Sequence, residues 1–180
     1  MNPPPIFPAQ ALPARIAAVV QRDEGGADDL VADFARSLIE RGWRVRGLVQ
    51  ELRPARHGCA FALVDLDNGD RYPISQELGT GATACSLDPA GIAEASAVLR
   101  RIADEGAELA VFNCFGGLEA GGEGFRAEML AVMSRDIPSL CIVPERYLAA
   151  WRQFTGEQAA ELEARREALE AWFLGRAAIG

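Results

Sequence analysis

The segment between residues 21 and 29 carries the residues best suited to binding an anion. Gly25-Gly26-Ala27-Asp28 follows a buried apolar run and precedes a helical pattern, an arrangement in which backbone amides can hold phosphate groups. The phosphate-binding pattern Gly-x4-Gly-Lys-Ser/Thr adds a lysine for the phosphates and a hydroxyl for magnesium. Here Gly26-Ala27-Asp28 stands in their place, and all 18 basic residues of the chain are arginines. The sequence therefore excludes a conventional phosphate loop.

Two interpretations of this loop stay open. Carboxylates near a helix start stabilise it by about 0.3–1 kcal/mol each, and four lie here: Asp23, Glu24, Asp28 and Asp29. One interpretation is therefore an ordinary acidic helix cap, with Asp28 or Asp29 as the capping residue. The other is an anion-binding loop with Arg22 as the nearby cation. The residues that would contact the ligand are Gln21, Arg22, Gly25 and Gly26.

A second candidate segment is Asn113-Cys114-Phe115-Gly116-Gly117-Leu118-Glu119, which follows the apolar run Leu109–Phe112. Nucleotide hydrolases with this kind of loop carry an acid for magnesium and another acid to activate water at this position. An amide and a thiol stand there instead, and neither is a strong ligand for a hard cation or a good general base. We predict no metal site and no catalytic residue. Asn113, Gly116 and Glu119 are predicted to line a cleft, with a solvated loop acid as the alternative for Glu119.

A third candidate segment, Ser75–Gly81, offers hydroxyls, an amide and flexible backbone. Ser75 and Gln76 are predicted to contact a small polar ligand, although the same composition suits an ordinary turn. Cys85 is a candidate nucleophile, but the single histidine, His57, lies on the other side of the predicted hairpin, so the sequence argues against a Cys-His dyad. The four cysteines contain no CxxC motif, so we expect buried, reduced thiols rather than a zinc site or a redox pair.

The elements that must position these residues follow from hydrophobic periodicity. Buried strands are predicted at Arg15–Val20, Trp43–Gln50, Leu109–Phe112 and Ser139–Val143. Helices are predicted from residue 28 or 29 to Gly42, from Asp88-Pro89 to about Gly106, from Phe125 to about Arg135 and from Glu157 to about Phe173. Gln76–Leu87 is predicted to be a loop. Strands that alternate with helices predict a three-layer α/β fold with a mostly parallel sheet, and the loop at residues 21–28 makes it P-loop NTPase-like.

A hairpin interrupts the alternation. Cys59–Asp65 and Arg71–Ser75 are short β-like runs, and the turn Asp67-Asn68-Gly69-Asp70 between them supplies the positive φ angles of a tight hairpin. We interpret it as a β-hairpin insert that could form a flap. The division that results is an extended tail at 1–14, one α/β domain at 15–155, and a C-terminal helix within 156–180 that packs on the domain or mediates self-association.

Composition limits the partners. The formal net charge is −8, which repels nucleic-acid phosphates and anionic lipid headgroups unless a local arginine patch opposes it. No apolar run approaches the roughly 20 residues that cross a bilayer, and Met1–Pro13 has no features of a signal peptide. We expect a cytoplasmic protein without nucleic-acid or membrane partners. The expected partner is a small anion or another protein, and a homo-oligomer is the further option.

The residues also resemble a known group of proteins. Ser75-Gln76-Glu77-Leu78-Gly79, Cys85-Ser86-Leu87-Asp88-Pro89, the run Val111–Ala120 and Trp151-Arg152-Gln153-Phe154 resemble a bacterial family of uncharacterised domains. Its members are often encoded beside molybdate-transport genes, and its layout is similar to that of small P-loop nucleoside-triphosphatases. The family typically has basic residues where Cys114 and Gly117 stand here. The resemblance covers nearly the whole chain after Arg15 and implies no activity of its own.

Three hypotheses follow. The first is a non-hydrolytic, P-loop-like binding or regulatory protein in molybdenum metabolism, which needs no cofactor and takes molybdate, a nucleotide or another small anion as its ligand. The second is a nucleoside-triphosphatase that uses Arg22 or Arg126 in place of lysine, because arginine can clamp a phosphate bidentately. The third is a structural or oligomerisation module that associates through the C-terminal helix.

Overall fold

The structure, a computed structural model, describes residues 14–22, 25–54, 59–76 and 86–177. Several sequence-based interpretations lie outside these residues. They concern the tail at 1–13, Asp23, Glu24, His57, Cys85, and the side chains of Cys59 and Gln76.

Strands and helices alternate along much of the described chain, as predicted, and five strands follow one another between residues 45 and 87. The strands are β1 (Ile16–Gln21), β2 (Val45–Pro54), β3 (Cys59–Asp65), β4 (Arg71–Pro73), β5 (Ser75–Gln76), β6 (Ser86–Leu87), β7 (Leu109–Cys114), β8 (Ser139–Pro144) and β9 (Ala160–Glu163). The helices are α1 (Ala27–Glu40), α2 (Pro89–Glu105), α3 (Gly117–Ala120), α4 (Arg126–Met133), α5 (Leu148–Thr155) and α6 (Arg166–Ala177). A 3₁₀ turn at Glu145–Tyr147 joins β8 to α5.

Seven strands form one sheet in the order β4-β3-β2-β7-β8-β1-β9. The five strands from β2 to β9 in this order pair in parallel, whereas β3 and β4 add to the β2 edge in antiparallel fashion. β5 and β6 form a separate two-stranded ladder. The predicted mostly parallel sheet with a hairpin insert is confirmed.

Two apolar clusters cover the two faces of the sheet. One face packs against α2, α4 and α5, with Phe112, Met129 and Trp151 fully buried at its centre. The other face packs against α1 and α6. The central strands are buried on both faces, which explains why β1 reads as a continuous apolar run rather than an alternating one. The predicted three-layer architecture is confirmed.

The position of β1 determines where a ligand site can form. From β1 the chain passes over β8 and β7 to reach β2, and from β8 it passes over β1 to reach β9. The connections that leave these neighbouring strands therefore run in opposite directions across the sheet. In open α/β sheets the crevice for ligands opens at the carboxyl ends of the strands where the connections diverge.

The hairpin is not a flap. β3 pairs with β2 from Leu48 to Pro54, so the hairpin continues the main sheet at its edge. This is possible because β2 changes partner: residues 45–47 pair with β7 and the rest with β3. Gly47 lies at this change with φ 138°, where its backbone lies directly against that of Val111.

The prediction of a continuous helix over Glu157–Phe173 is wrong. Ala160–Glu163 is a strand that pairs in parallel with β1 and ends the sheet, and α6 begins only at Arg166. The reason is visible in the pattern of exposure, because Ala160 and Leu162 are partly covered while Glu161 and Glu163 are exposed. This alternation is the period of a strand with one covered face. In addition, α5 forms where no element was predicted.

The C-terminal helix packs on the domain. Phe173 meets the rings of Phe34 on α1 and Trp43 edge to face, at centroid distances of 6.3 and 5.1 Å. The indole N–H of Trp172 donates to the carbonyl of Ala14, 2.8 Å away, just before β1. The hydrogen bond between Trp172 and Ala14 links the two ends of the described part of the chain. Self-association through this helix stays a prediction.

Of the predictions for the starts of α1 and α2, the one for α2 is confirmed and the one for α1 is wrong. Asp88 caps α2 by accepting the N–H of Ala90 at 3.0 Å. At α1 the N-cap is Gly26 and makes no side-chain hydrogen bond, so neither Asp28 nor Asp29 is the capping residue. Both acids instead lie inside the first turn.

None of the helices in the described part of the chain combines the length and the hydropathy that a membrane crossing requires.

The close approach at Gly47 predicts a large stability loss. In Gly47→Ala the added methyl group would overlap the backbone of Val111, in a conformation that L residues rarely adopt. We expect the free energy of unfolding in urea to fall by more than about 2 kcal/mol. The matched control is Gly42→Ala, with φ 89° and no atom within 4 Å of the new methyl, for which only the backbone term of about 1 kcal/mol applies. Equal losses in the two variants would contradict the steric explanation.

Candidate functional site

The loop after β1 is a glycine turn. Gly25 and Gly26 have φ angles of 103° and 89°, which glycine adopts without steric cost. The second of them is the N-cap of α1, so the chain enters the helix at this glycine. The first N–H groups of a helix have no partner within it, and here the cap residue has no side chain to satisfy one. The turn therefore brings backbone donors close to the sheet edge.

This glycine turn opens on a groove of about 430 Å³. The residues around it come from the end of β1, the turn, the first helical residues and the end of β9: Val20, Gln21, Arg22, Gly25, Gly26, Ala27, Leu30, Glu163 and Ala164. The four residues predicted for this loop, Gln21, Arg22, Gly25 and Gly26, are thus brought together in one concave surface. β9 contributes the opposite side, which the predicted C-terminal helix did not anticipate.

The groove has one cationic side chain among its described lining residues. Arg22 is about two-thirds exposed, and its Nε lies 3.4 Å from Oε1 of Glu145. Glu163, the acid on the opposite side, pairs with Arg165 at 2.7 Å. Burial and, second, the charge of Asp29 raise the pKa of Asp28 in the first turn. A raised pKa reduces the negative charge that this residue presents at a given pH, although Asp28 still opposes an anion when ionised.

At the end of β7 the structure places neutral groups. The amide of Asn113 donates to Oε1 of Gln50 at 3.5 Å, and its own Oδ1 is buried without a partner among the described residues. Burial, with the charges of Glu119 and Asp28, raises the pKa of the Cys114 thiol to about 12. Cys141 on β8 is buried and also has a raised pKa, mainly through burial. Both are free thiols; Cys141 is buried as expected, whereas Cys114 is only partly covered.

Glu119 is occupied by its own loop. Its two carboxylate oxygens accept the N–H groups of Gly116 at 2.9 Å and Phe125 at 3.1 Å, and the residue is only 6% exposed. Its backbone carbonyl accepts from the guanidinium of Arg126 at 3.0 Å. The buried carboxylate therefore holds the segment 116–126 together, and the solvated acid considered above is wrong. The described residues contain no group of three or more histidine, cysteine, aspartate or glutamate side chains placed to hold a metal ion.

Arg126 likewise has structural partners. Besides the carbonyl of Glu119, its guanidinium lies over the ring of Phe154 at 4.5 Å. Phe154 stacks on Phe115, which also meets Trp151 edge to face. Arg126 therefore contacts this aromatic cluster through Phe154 on α5.

Ser75 lies far from the glycine turn. Its hydroxyl oxygen accepts the N–H of Phe61 on β3 at 2.7 Å, and β5, which also contains Gln76, pairs with β6. Three strands separate β3 from β1 in the sheet, a distance of roughly 19 Å at the usual strand spacing. The predicted contact residues thus form three groups, at β1, at β7 and beside β3. The segment 76–87 was predicted to be a loop, but its two ends pair with each other in the β5–β6 ladder.

The segment after Val143 is a third strand end at which the sequence places a possible ligand crevice, but no contact residue was predicted in it. Pro144 is level with Gln21 in the parallel β1–β8 ladder, so the 3₁₀ turn lies beside the start of the glycine turn. Within it, Arg146 lies over the ring of Tyr147 at 4.9 Å, and the phenol oxygen of Tyr147 lies against Gly117. The signal was present, because Pro144 ends an apolar strand and marks a third carboxyl end. Only the strand order shows that this end adjoins β1.

The glycine turn before α1, at the carboxyl end of a strand between two parallel neighbours, defines a P-loop NTPase-like α/β protein. A solved structure of the same fold is the solution structure of a human cancer-related nucleoside triphosphatase, with a TM-score of 0.64 and 19% identity. The superposition covers 92% of this chain and 96% of that protein, and at this identity the likeness is one of fold alone.

The chain belongs to the family described as proteins of unknown function, DUF2478, whose profile matches residues 16–172. It is 39% identical over 171 residues to the molybdenum import ATP-binding protein ModC 2 of Bradyrhizobium diazoefficiens. That alignment covers 94% of this chain and 19% of the relative, so the chain spans about a fifth of the relative's length. The resemblance drawn from the motifs is confirmed.

The pKa of Cys114 predicts an unreactive thiol. A rise from 9.0 to about 12 reduces the thiolate fraction near pH 8 by roughly 1000-fold. We expect iodoacetamide at pH 8 to modify Cys114 in the folded protein far more slowly than in urea, as measured by site-resolved peptide mass spectrometry. Since the thiolate appears only as the pH approaches the raised pKa, the rate should stay low up to about pH 10. Rapid modification of the folded protein at pH 8 would show that the thiol is not buried in this way.

The two hydrogen bonds of Glu119 predict a stabilising role. Glu119→Ala leaves two backbone N–H groups without their acceptor, so we expect the free energy of unfolding to fall by about 1–3 kcal/mol. The control is Glu123→Ala in the same loop, an exposed residue. Chemical denaturation of the two variants measures the difference. A loss of stability in Glu119→Ala no larger than that in Glu123→Ala would disprove this stabilising role.

Proposed function

We propose that this protein is a non-hydrolytic, P-loop-like binding and regulatory domain that takes a small oxyanion at the glycine turn. The oxyanion is either free molybdate or the phosphate group of a nucleotide, which share tetrahedral geometry and negative charge. The observation that carries the proposal is the turn at Gly25-Gly26, which opens on a groove beside Arg22. Backbone N–H groups at a helix start and a guanidinium are the donors that such anions bind.

The end of β7 supports binding without hydrolysis. A hydrolase needs a ligand for magnesium and a group that activates water, and both are usually carboxylates. Asn113 and Cys114 provide an uncharged amide and a protonated thiol, and the nearby carboxylate of Glu119 is already bonded to two backbone N–H groups. Arg126, the alternative cation for a nucleoside-triphosphatase, is held by Glu119 and Phe154. These contacts favour the first of the three hypotheses.

The setting of the proposal comes from the similar proteins. A relative that is 39% identical is a molybdenum import ATP-binding protein. The segment of that relative that matches the present chain is about a fifth of the relative's length. A domain of this kind beside an ATP-binding protein suits a regulatory role, in which an anion level controls uptake. Under this proposal an ATP-binding protein binds the nucleotide for import, and the present domain senses the anion.

Binding can be measured by calorimetry at low salt, with molybdate, tungstate, sulfate and ATP as probes and thermal shift as a second readout. We expect at least one probe to bind and Arg22→Ala to weaken it by about tenfold or more, because a charge-assisted hydrogen bond is lost. The matched control is Arg36→Ala, since Arg36 is similarly exposed and also has an acidic partner at 3.4 Å. If no probe binds, small-anion binding is wrong and a protein partner becomes the proposal.

The absence of hydrolysis needs its own measurement. We expect the release of phosphate from ATP and GTP with magnesium to stay at the level of a blank without protein. Release above the blank that disappears in Arg22→Ala would overturn this part of the proposal in favour of an atypical nucleoside-triphosphatase.

A further inference from the structure

The cation of the groove already has an anion beside it. Nε of Arg22 lies 3.4 Å from the carboxylate of Glu145, and the two side chains are 65% and 60% exposed. Glu145 does not line the groove itself. It approaches from the 3₁₀ turn that follows β8.

The sheet, rather than the loops, brings this pair together. Gln21 and Pro144 are level in the parallel β1–β8 ladder. The next residues along the two strands, Arg22 and Glu145, therefore leave neighbouring strands side by side and in the same direction. The contact follows from the register of two central strands, so it does not depend on the conformation of a long loop.

We propose that Glu145 is an internal competitor for the anion site and occupies the guanidinium of Arg22 until an oxyanion displaces it. This inference rests on the proposed function. A carboxylate and an oxyanion accept hydrogen bonds from the same N–H groups of a guanidinium, so the carboxylate of Glu145 and the oxyanion compete for Arg22. Arg22 is the one cation among the described residues that line the groove, so the competition acts directly on affinity.

The exchange requires little rearrangement. An exposed ion pair contributes only about 0–1 kcal/mol to stability, so an incoming anion with backbone donors in addition to Arg22 can displace the carboxylate. The 3₁₀ turn is held at its other end, because Tyr147 packs against the apolar cluster beside α5 and its phenol lies close to Gly117. Rotation of the Glu145 side chain is then sufficient, and the turn itself stays in place.

The test compares two variants that each remove one negative charge. Glu145→Gln removes the competitor, whereas Asp33→Asn removes the acid of the matched exposed pair Arg36–Asp33, also at 3.4 Å. Dissociation constants for molybdate and for ATP are measured at low salt in the full chain, and circular dichroism checks the fold. We expect Glu145→Gln to tighten binding by up to about fivefold and Asp33→Asn to change it by clearly less.

A third variant separates competition from a general charge effect. In the double variant Arg22→Ala/Glu145→Gln, the gain from Glu145→Gln should vanish, because no guanidinium is left to release. Equal gains in the Glu145 and Asp33 variants, or a gain that persists without Arg22, would overturn the inference while Arg22-dependent binding by the wild-type chain would still support the proposed function. If neither the wild-type chain nor Glu145→Gln binds either probe, the proposed function itself fails.

Discussion

The burial of β1 between two parallel neighbours is the constraint on which the rest of the structure depends. Its four central residues, Ala17–Val20, are almost entirely excluded from solvent, and β8 and β9 pair along its two edges. A strand covered on both faces and both edges is accessible to a ligand only at its ends, and in open α/β sheets the ligand crevice forms at the carboxyl end. The glycine turn, the groove and the Arg22–Glu145 pair all lie at that end.

The distribution of charge is the basis on which we propose binding without hydrolysis. At the β7 end the groups that would handle magnesium and water are an amide and a thiol with a pKa of about 12. The carboxylate that remains nearby, Glu119, is used to hold its loop. At the β1 end the cation is an exposed arginine with an acidic neighbour rather than a buried lysine. These features are the reason that we propose reversible binding rather than hydrolysis at this site.

Several acids among the described residues have structural roles. Asp65, almost fully buried, pairs with Arg101 at 2.5 Å and accepts the N–H of Asp67. Asp88 caps α2, and Glu161 forms a two-pronged pair with Arg152 between α5 and β9. An excess of negative charge therefore does not by itself describe the surface that a ligand meets. What matters at the groove is the local balance between Arg22, its neighbour Glu145 and the first-turn acid Asp28.

By itself the sequence determined the layers, the parallel strands and the glycine turn, because these depend on local periodicity and on residues that tolerate positive φ angles. It also determined that no lysine can hold a phosphate and that the β7 end is uncharged. Only the tertiary structure decided which ends meet. Strand order placed Glu145 beside Arg22 and Ser75 about three strands away, and pairing with β1 turned Ala160–Glu163 into a strand despite its helix-like neighbours. These outcomes depend on hydrogen bonds and side-chain contacts between segments far apart in the chain, and a four-residue alternation such as Ala160–Glu163 is too short to predict them.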